Sequence, residues 1–224
     1  MDDMEDMEDM DFELAAKVSR VALNHARLGT PIAVAWPEVV QAGKVALGPD
    51  LVSDACAMDI AESLKIVLDE YAALLKRDKP GENINGLWFG LVAFAPKEDL
   101  SESVWTPYIA GSDQFDVKND DWPCDPAWMA EDCYAPNPAM LRLSALCEEL
   151  EEKAWSIETM LIEPLHTLFT GRAAFDLPRE LLLGPASSRG IGCGIDSGDL
   201  NTLGAVTTTG FVTLKDLRKK RGKR

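Results

Sequence analysis

Histidine is scarce in this chain. Among 224 residues only His25 and His166 carry an imidazole. Neither the G-x-S-x-G elbow nor the H-E-x-x-H metal pair occurs, so no motif places either ring beside a nucleophile or a metal. Cysteine is also sparse. Cys56, Cys124, Cys133, Cys147 and Cys193 are an odd set with no C-x-x-C spacing. No basic and apolar leader opens the chain, so these thiols read as reduced and the protein as cytoplasmic. Cys124 and Cys133 share one loop-like segment, where a disulfide or a metal role is open to them. No run of 18 apolar residues exists, so no membrane span is expected. Basic residues are outnumbered: 22 Lys and Arg face 38 Asp and Glu, a net charge of -16. Such a chain repels phosphate backbones and anionic lipid, which argues against direct nucleic-acid binding.

The remaining composition is that of a globular protein, with 46% apolar and 27% charged residues. Charge is concentrated at the ends. Residues 1–13 hold eight acids and no base, and the last ten residues hold seven bases and only Asp216. The first eleven residues, dense in like charge, are expected to be a disordered acidic lead. Residues 12–214 are expected to form one domain, and 215–224 a basic tail that begins as a helix or frays.

Hydrophobic spacing predicts a helix from Phe12 to the Gly29-Thr30-Pro31 stop. Ile32–Trp36 reads as a short strand or a buried connector. Glu38–Leu47 is ambiguous and fits a short helix. Asp54–Arg77 carries one broad apolar stripe, with acids early and bases late, and reads as a single helix. Gly86–Ala95 and Val104–Ala110 are rich in β-forming residues and read as a hairpin. Pro107 lacks a donor, which predicts that its strand is an edge or is bulged. Residues 111–138 read as a long ordered loop, a type of segment that is often functional. Ala139–Thr170 follows the helical period, with a kink or split expected at Pro164 and a C-cap at Gly171. Phe175–Leu183 is a connector or a short helix. Gly190–Ile195 and Gly204–Leu214 read as a second hairpin. Together these predict an α+β fold: an antiparallel sheet of about four to six strands, with helices packed mainly on one face.

Catalytic and metal signatures are weak. Glu163 and His166 have the E-x-x-H spacing of a helical metal pair, but the second pair that a carboxylate-bridged site needs is missing. The simpler reading is a polar pair beside a kink. The glycines Gly190, Gly192, Gly194 and Gly198 lack a following helix start, so they read as close strand packing and a turn, not as a dinucleotide fingerprint. Asp113, Asp116, Asn119, Asp120 and Asp121 are calcium-type oxygen donors without the EF-hand pattern, consistent with at most a weak surface cation site. No cofactor is expected.

One segment stands above background. Between Lys97 and Asp132 ten acids face two bases, and three of the six tryptophans fall in the same stretch. The simpler reading is a solvated loop whose aromatics pin it to the core. The sharper reading is a docking face for a basic protein partner, with Glu102, Trp105, Asp113, Asp116, Asp120, Asp121, Trp122 and Trp128 as candidate binding residues. Carboxylates there steer and fix register, and tryptophans anchor. Glu148, Glu149, Glu151 and Glu152 extend the negative field.

The segments GLWFGLVAFA, PYIAGSDQFD, DDWPCDPAWMAEDCYAP and GIGCGIDSGDLNTLG with GFV resemble bacterial immunity proteins of polymorphic and contact-dependent toxin systems. The likeness spans roughly residues 86–138 and 189–213. It implies a small acidic, non-enzymatic, cytosolic α+β protein that binds and blocks a cognate toxin domain; the acidic surface itself would match a basic toxin that handles nucleic acid, since carboxylates can take the place of phosphates. The rival expectation is an enzyme or small-ligand protein with a pocket around Glu163 and His166, or using Cys124.

Overall fold

The computed structural model describes residues 2–94, 104–119, 121–135, 137–196 and 200–221. The side chains of residues 2–11, 94, 220 and 221 lie outside that description. Helix α1 spans Asp2–Leu28, so helical backbone runs back through the lead predicted to be disordered. Helix α2 spans Ile32–Ala57; it replaces the strand or connector expected at Ile32–Trp36 and takes in the 38–47 stretch that fitted a short helix. Its punctuation misleads. Pro31 precedes its first turn, and Gly48, with φ of 80°, breaks it just before Pro49. Burial of Ile32, Trp36, Val39 and Leu47 outweighs the weak local signal. Trp36 Nε1 donates to Ala55 O at 2.9 Å, fastening one part of α2 to the other across the break. The single helix expected over 54–77 is therefore two, because α3 spans Ile60–Arg77 and starts at Asp59. The Asp59 carboxylate accepts from the backbone N–H of Glu62.

Strands β1 (Gly86–Phe94) and β2 (Val104–Ser112) form the expected hairpin. Strand β3, Trp128–Tyr134, lies within the segment predicted to be loop. Helix α4 (Pro138–Glu149) is followed by a 3-10 turn (Glu151–Lys153), α5 (Ala154–Ile157) and a π turn (Glu158–Ile162). Helix α6, Glu163–Asp176, then starts with Pro164 in its first turn, where a missing N–H costs least. Helical backbone continues from the π turn into α6, and the break in the region expected to be one long helix falls instead at Leu150, with φ of -130° and ψ of 60°. Gly171 is not a C-cap. It lies inside α6, where a Cβ would strike the backbone of Ala26, so it permits the close crossing of α1 and α6. Helix α7 (Arg179–Leu183) leads to β4 (Ser188–Ile195), β5 (Leu200–Thr207) and β6 (Gly210–Thr213), and α8 spans Leu214–Arg221. The last strand expected from the sequence is thus two, joined by a turn at Thr208 and Thr209.

The fold is α+β. The six strands form one sheet in the order β3-β2-β1-β4-β5-β6, antiparallel except where β1 runs parallel to β4. Strand β2 is internal, so Pro107 does not mark an edge; β3 and β6 are the edges. The β2–β3 register shifts between Tyr108 and Ala110, and Pro107 still accepts at its carbonyl from Ala135 N–H at 2.8 Å. Side chains alternate across the sheet. Leu87, Phe89 and Leu91 meet the helices: Tyr71 of α3 packs edge-on against Phe89, with centroids 5.0 Å apart. His166 of α6 bonds to Phe89 O at 2.9 Å. One continuous cluster of buried apolar residues joins helices and sheet.

Candidate functional site

The other face of the sheet is built from glycine. Gly86, Gly90, Gly190, Gly192 and Gly194 lie side by side, because β1 and β4 pair as Gly86 with Gly190, Trp88 with Gly192 and Gly90 with Gly194. Between Gly86 and Gly90 on β1 and between Gly190 and Gly194 on β4, Trp88 alone carries a side chain on this face, so aromatic rings lie directly on backbone. A Cβ on Gly86 would enter the indole of Trp122, one on Gly190 the ring of Phe115, and one on Gly90 the ring of Tyr108. Phe115 and Trp122 stack edge to face at 5.3 Å, and Trp122 meets Trp88 at 6.5 Å. These rings hold the long loop, residues 113–127, flat on the sheet.

Further bonds fix the loop. Trp122 Nε1 donates to Thr202 Oγ1 on β5 at 3.0 Å. The Asp116 carboxylate accepts from Lys118 N–H, and the Asn119 side chain from Asp121 N–H, forming two consecutive side-chain-capped turns. Arg218 of α8 donates to Val117 O at 3.0 Å, so the basic tail folds back onto the acidic segment.

The candidate residues divide accordingly. Trp122 is 4% exposed and is a loop anchor, not an outward docking group. Its chemistry is spent on the glycine face, a role that depends on strands far away in sequence. Trp105 is half-buried on the helix side, its N–H donating to Ser144 Oγ at 3.0 Å and its indole to Glu158 at 3.4 Å. It does not join the loop carboxylates. Trp128 is half-buried on β3 beside Gly111. Asp113 and Asp121 are exposed and Asp116 is partly so. Glu102 and Asp120 lie outside the described residues.

Asp125, Glu131 and Asp132, which belong to the same acidic stretch, are exposed as well. Among the described residues no lysine or arginine forms an ion pair with Asp113, Asp121, Asp125, Glu131 or Asp132. Met129 and Tyr134, 52% and 43% exposed, stand on the same edge strand. Sequence reading missed both, because the strand itself was not expected. WMAEDCY gave little signal of a strand, because its two acids are adjacent and its apolar residues do not alternate with them.

The chain matches no family model, no curated protein and no solved structure.

The rival site resolves differently. His25 bonds Thr30 at 3.1 Å and Glu38 at 3.0 Å, tying α1 to α2. His166 is fully buried; burial lowers its pKa to about 4, opposed by its bond to Phe89 O, so the ring is neutral. It braces α6 against β1. Glu163 borders an open groove of about 860 Å³ between α1 and the π turn, lined also by Phe12, Lys17, Arg20 and Trp155. Cys124 and Cys133 are both free thiols, the first exposed and the second buried. Among the described residues no three His, Cys, Asp or Glu side chains gather as a metal site. No helix there is long and apolar enough to cross a membrane.

Proposed function

We propose that the chain is a non-enzymatic protein-binding module of the immunity type. It takes a basic protein domain on the loop 113–127 and on the adjoining edge strand β3. The observation that carries this reading is that Asp113, Asp121 and Asp125, on a loop pinned by Phe115 and Trp122, are exposed and, among the described residues, form no ion pair with a lysine or arginine. A rigid anionic surface attracts and orients a basic partner with little ordering cost. Met129 and Tyr134 supply apolar contact at this edge of the sheet. The resemblance to toxin-system immunity proteins supplies the class of partner, a toxin domain, and the acidic surface suits one that acts on nucleic acid. The carboxylates then occupy the basic surface that phosphates would otherwise take.

The test is co-expression with each basic toxin domain found encoded beside the gene, using a triple variant: Asp113→Lys, Asp121→Lys and Asp125→Lys. The native chain is expected to restore growth and to bind with strong salt dependence. The variant is expected to bind at least about tenfold more weakly, with a flatter salt response. Full protection and unchanged affinity in the variant defeat the reading.

A second reading, a small-ligand protein, is favoured by the groove beside Glu163. Native mass spectrometry of the protein purified from its own host tests it: a stoichiometric metabolite lost in Glu163→Gln supports it, and its absence counts against it.

A further inference from the structure

Beside the loop lies a cleft of about 330 Å³ on the glycine face. Trp88, Pro123, Pro126, Met129 and Leu200 give it apolar walls. Two of its lining groups form an ordered polar chain. Trp88 Nε1 donates to Tyr108 Oη at 3.2 Å, and the Tyr108 hydroxyl donates to Asp196 Oδ1. Each donor has one direction, so the chain ends on a carboxylate. Burial, then the bond and charge of Asp196, push the Tyr108 phenol well above its ordinary pKa, so it remains a donor. The backbone of Asp196 is held too, its N–H donating to Leu91 O at 3.2 Å. Asp196 itself is exposed, and among the described residues no lysine or arginine forms an ion pair with it.

An apolar slot that ends in a preorganised carboxylate suits one chemistry: a long apolar stem carrying a cation. It disfavours anions, which meet Asp196. It sits at the low end of sizes that hold small ligands, ample for one extended side chain.

We propose that this cleft receives a single lysine or arginine side chain of the basic partner, with the stem against Trp88, Pro123, Pro126 and Leu200 and the head on Asp196. The inference rests on the docking reading above and makes it specific. The loop carboxylates steer the partner, and the cleft registers it.

The experiment uses the full chain and three probes: the N-acetyl methylamides of arginine, lysine and norleucine. The indole N–H resonance of Trp88, assigned with Trp88→Phe, is followed by NMR. The cationic probes are expected to shift it saturably at millimolar concentration, and norleucine to bind at least about tenfold more weakly. Asp196→Asn is expected to abolish the difference between them. If Asp196→Asn alters the melting curve, alkylation of Cys124 at the cleft in a Cys56→Ser background gives the second readout, since the adduct should block the cationic probes. Equal binding of the neutral probe, or cationic binding that survives both changes, overturns the inference. In the partner assay, Asp196→Asn is expected to weaken binding about tenfold. Loss of partner binding in the loop triple variant but not in Asp196→Asn sinks the cleft and leaves the docking reading standing. No effect of the triple variant sinks both.

Discussion

The indole N–H of Trp122 donates to Thr202 Oγ1 at 3.0 Å, joining a loop residue to a strand eighty positions later. That bond closes the loop over the glycine face. It also explains why the carboxylates around Trp122 point outward: the ring has taken the inside, and chain neighbours such as Asp121 and Asp125 are left in water.

Replacing Trp122 with alanine removes the ring that fills the space over Gly86 and Gly192. A loss of about 3–5 kcal/mol is expected, with new protease cleavage within 113–127. Thr202→Val is expected to cost about 1–3 kcal/mol, because it leaves the buried indole N–H without this acceptor. Chemical denaturation and limited proteolysis measure both. A Trp122→Ala protein as stable as the native chain contradicts the latch.

His166 makes stability depend on pH. Its ring is neutral in the folded state down to about pH 4, whereas in the unfolded chain it takes a proton near its ordinary pKa of 6.5. Between those values the unfolded state binds more protons, so stability falls as pH is lowered from about 6.5 to 4. The full effect is about 3 kcal/mol. His166→Gln keeps a donor for Phe89 O and cannot titrate. Melting curves across that range are expected to show a shallower pH slope for the variant than for the native chain.

Arg189 is fully buried on β4 with no carboxylate bonded to it among the described residues. Its guanidinium donates instead to three carbonyls: Leu182 O at 3.3 Å, Pro80 O at 3.0 Å and Gly81 O at 2.7 Å. It clamps α7 and the turn after α3 to the sheet. Arg189→Met is expected to cost about 3 kcal/mol, by leaving those carbonyls with fewer partners in a dry setting. Urea titration checks this, and Arg189→Lys should recover part of the loss.

The thiols should separate by exposure. Cys56 and Cys124 are exposed, Cys147 is half-buried, and Cys133 and Cys193 are buried. Burial, with Glu158 and Glu148 nearby, pushes the Cys147 thiol up to about 12, and burial raises Cys193 to about 12. A colorimetric thiol assay is expected to find two fast groups in the folded protein and three that react only on unfolding. Five fast thiols in native buffer refute this placement.

The sequence by itself determined the local elements and the sign of the charge. Helices α1 and α3 and the β1–β2 hairpin were legible because their periodicities are written in adjacent residues. Helix α2 was not legible: its prolines and Gly48 punctuate a segment that burial of Trp36, Val39 and Leu47 keeps helical. Strand β3 was hidden among turn residues. Tertiary structure alone decided which aromatics face inward. Trp122 is buried because β1 and β4, a hundred residues apart in the chain, pair in parallel and align their glycines into one low surface beside Trp88. A ring settles where side chains are missing, and that vacancy exists only once distant strands have come into register.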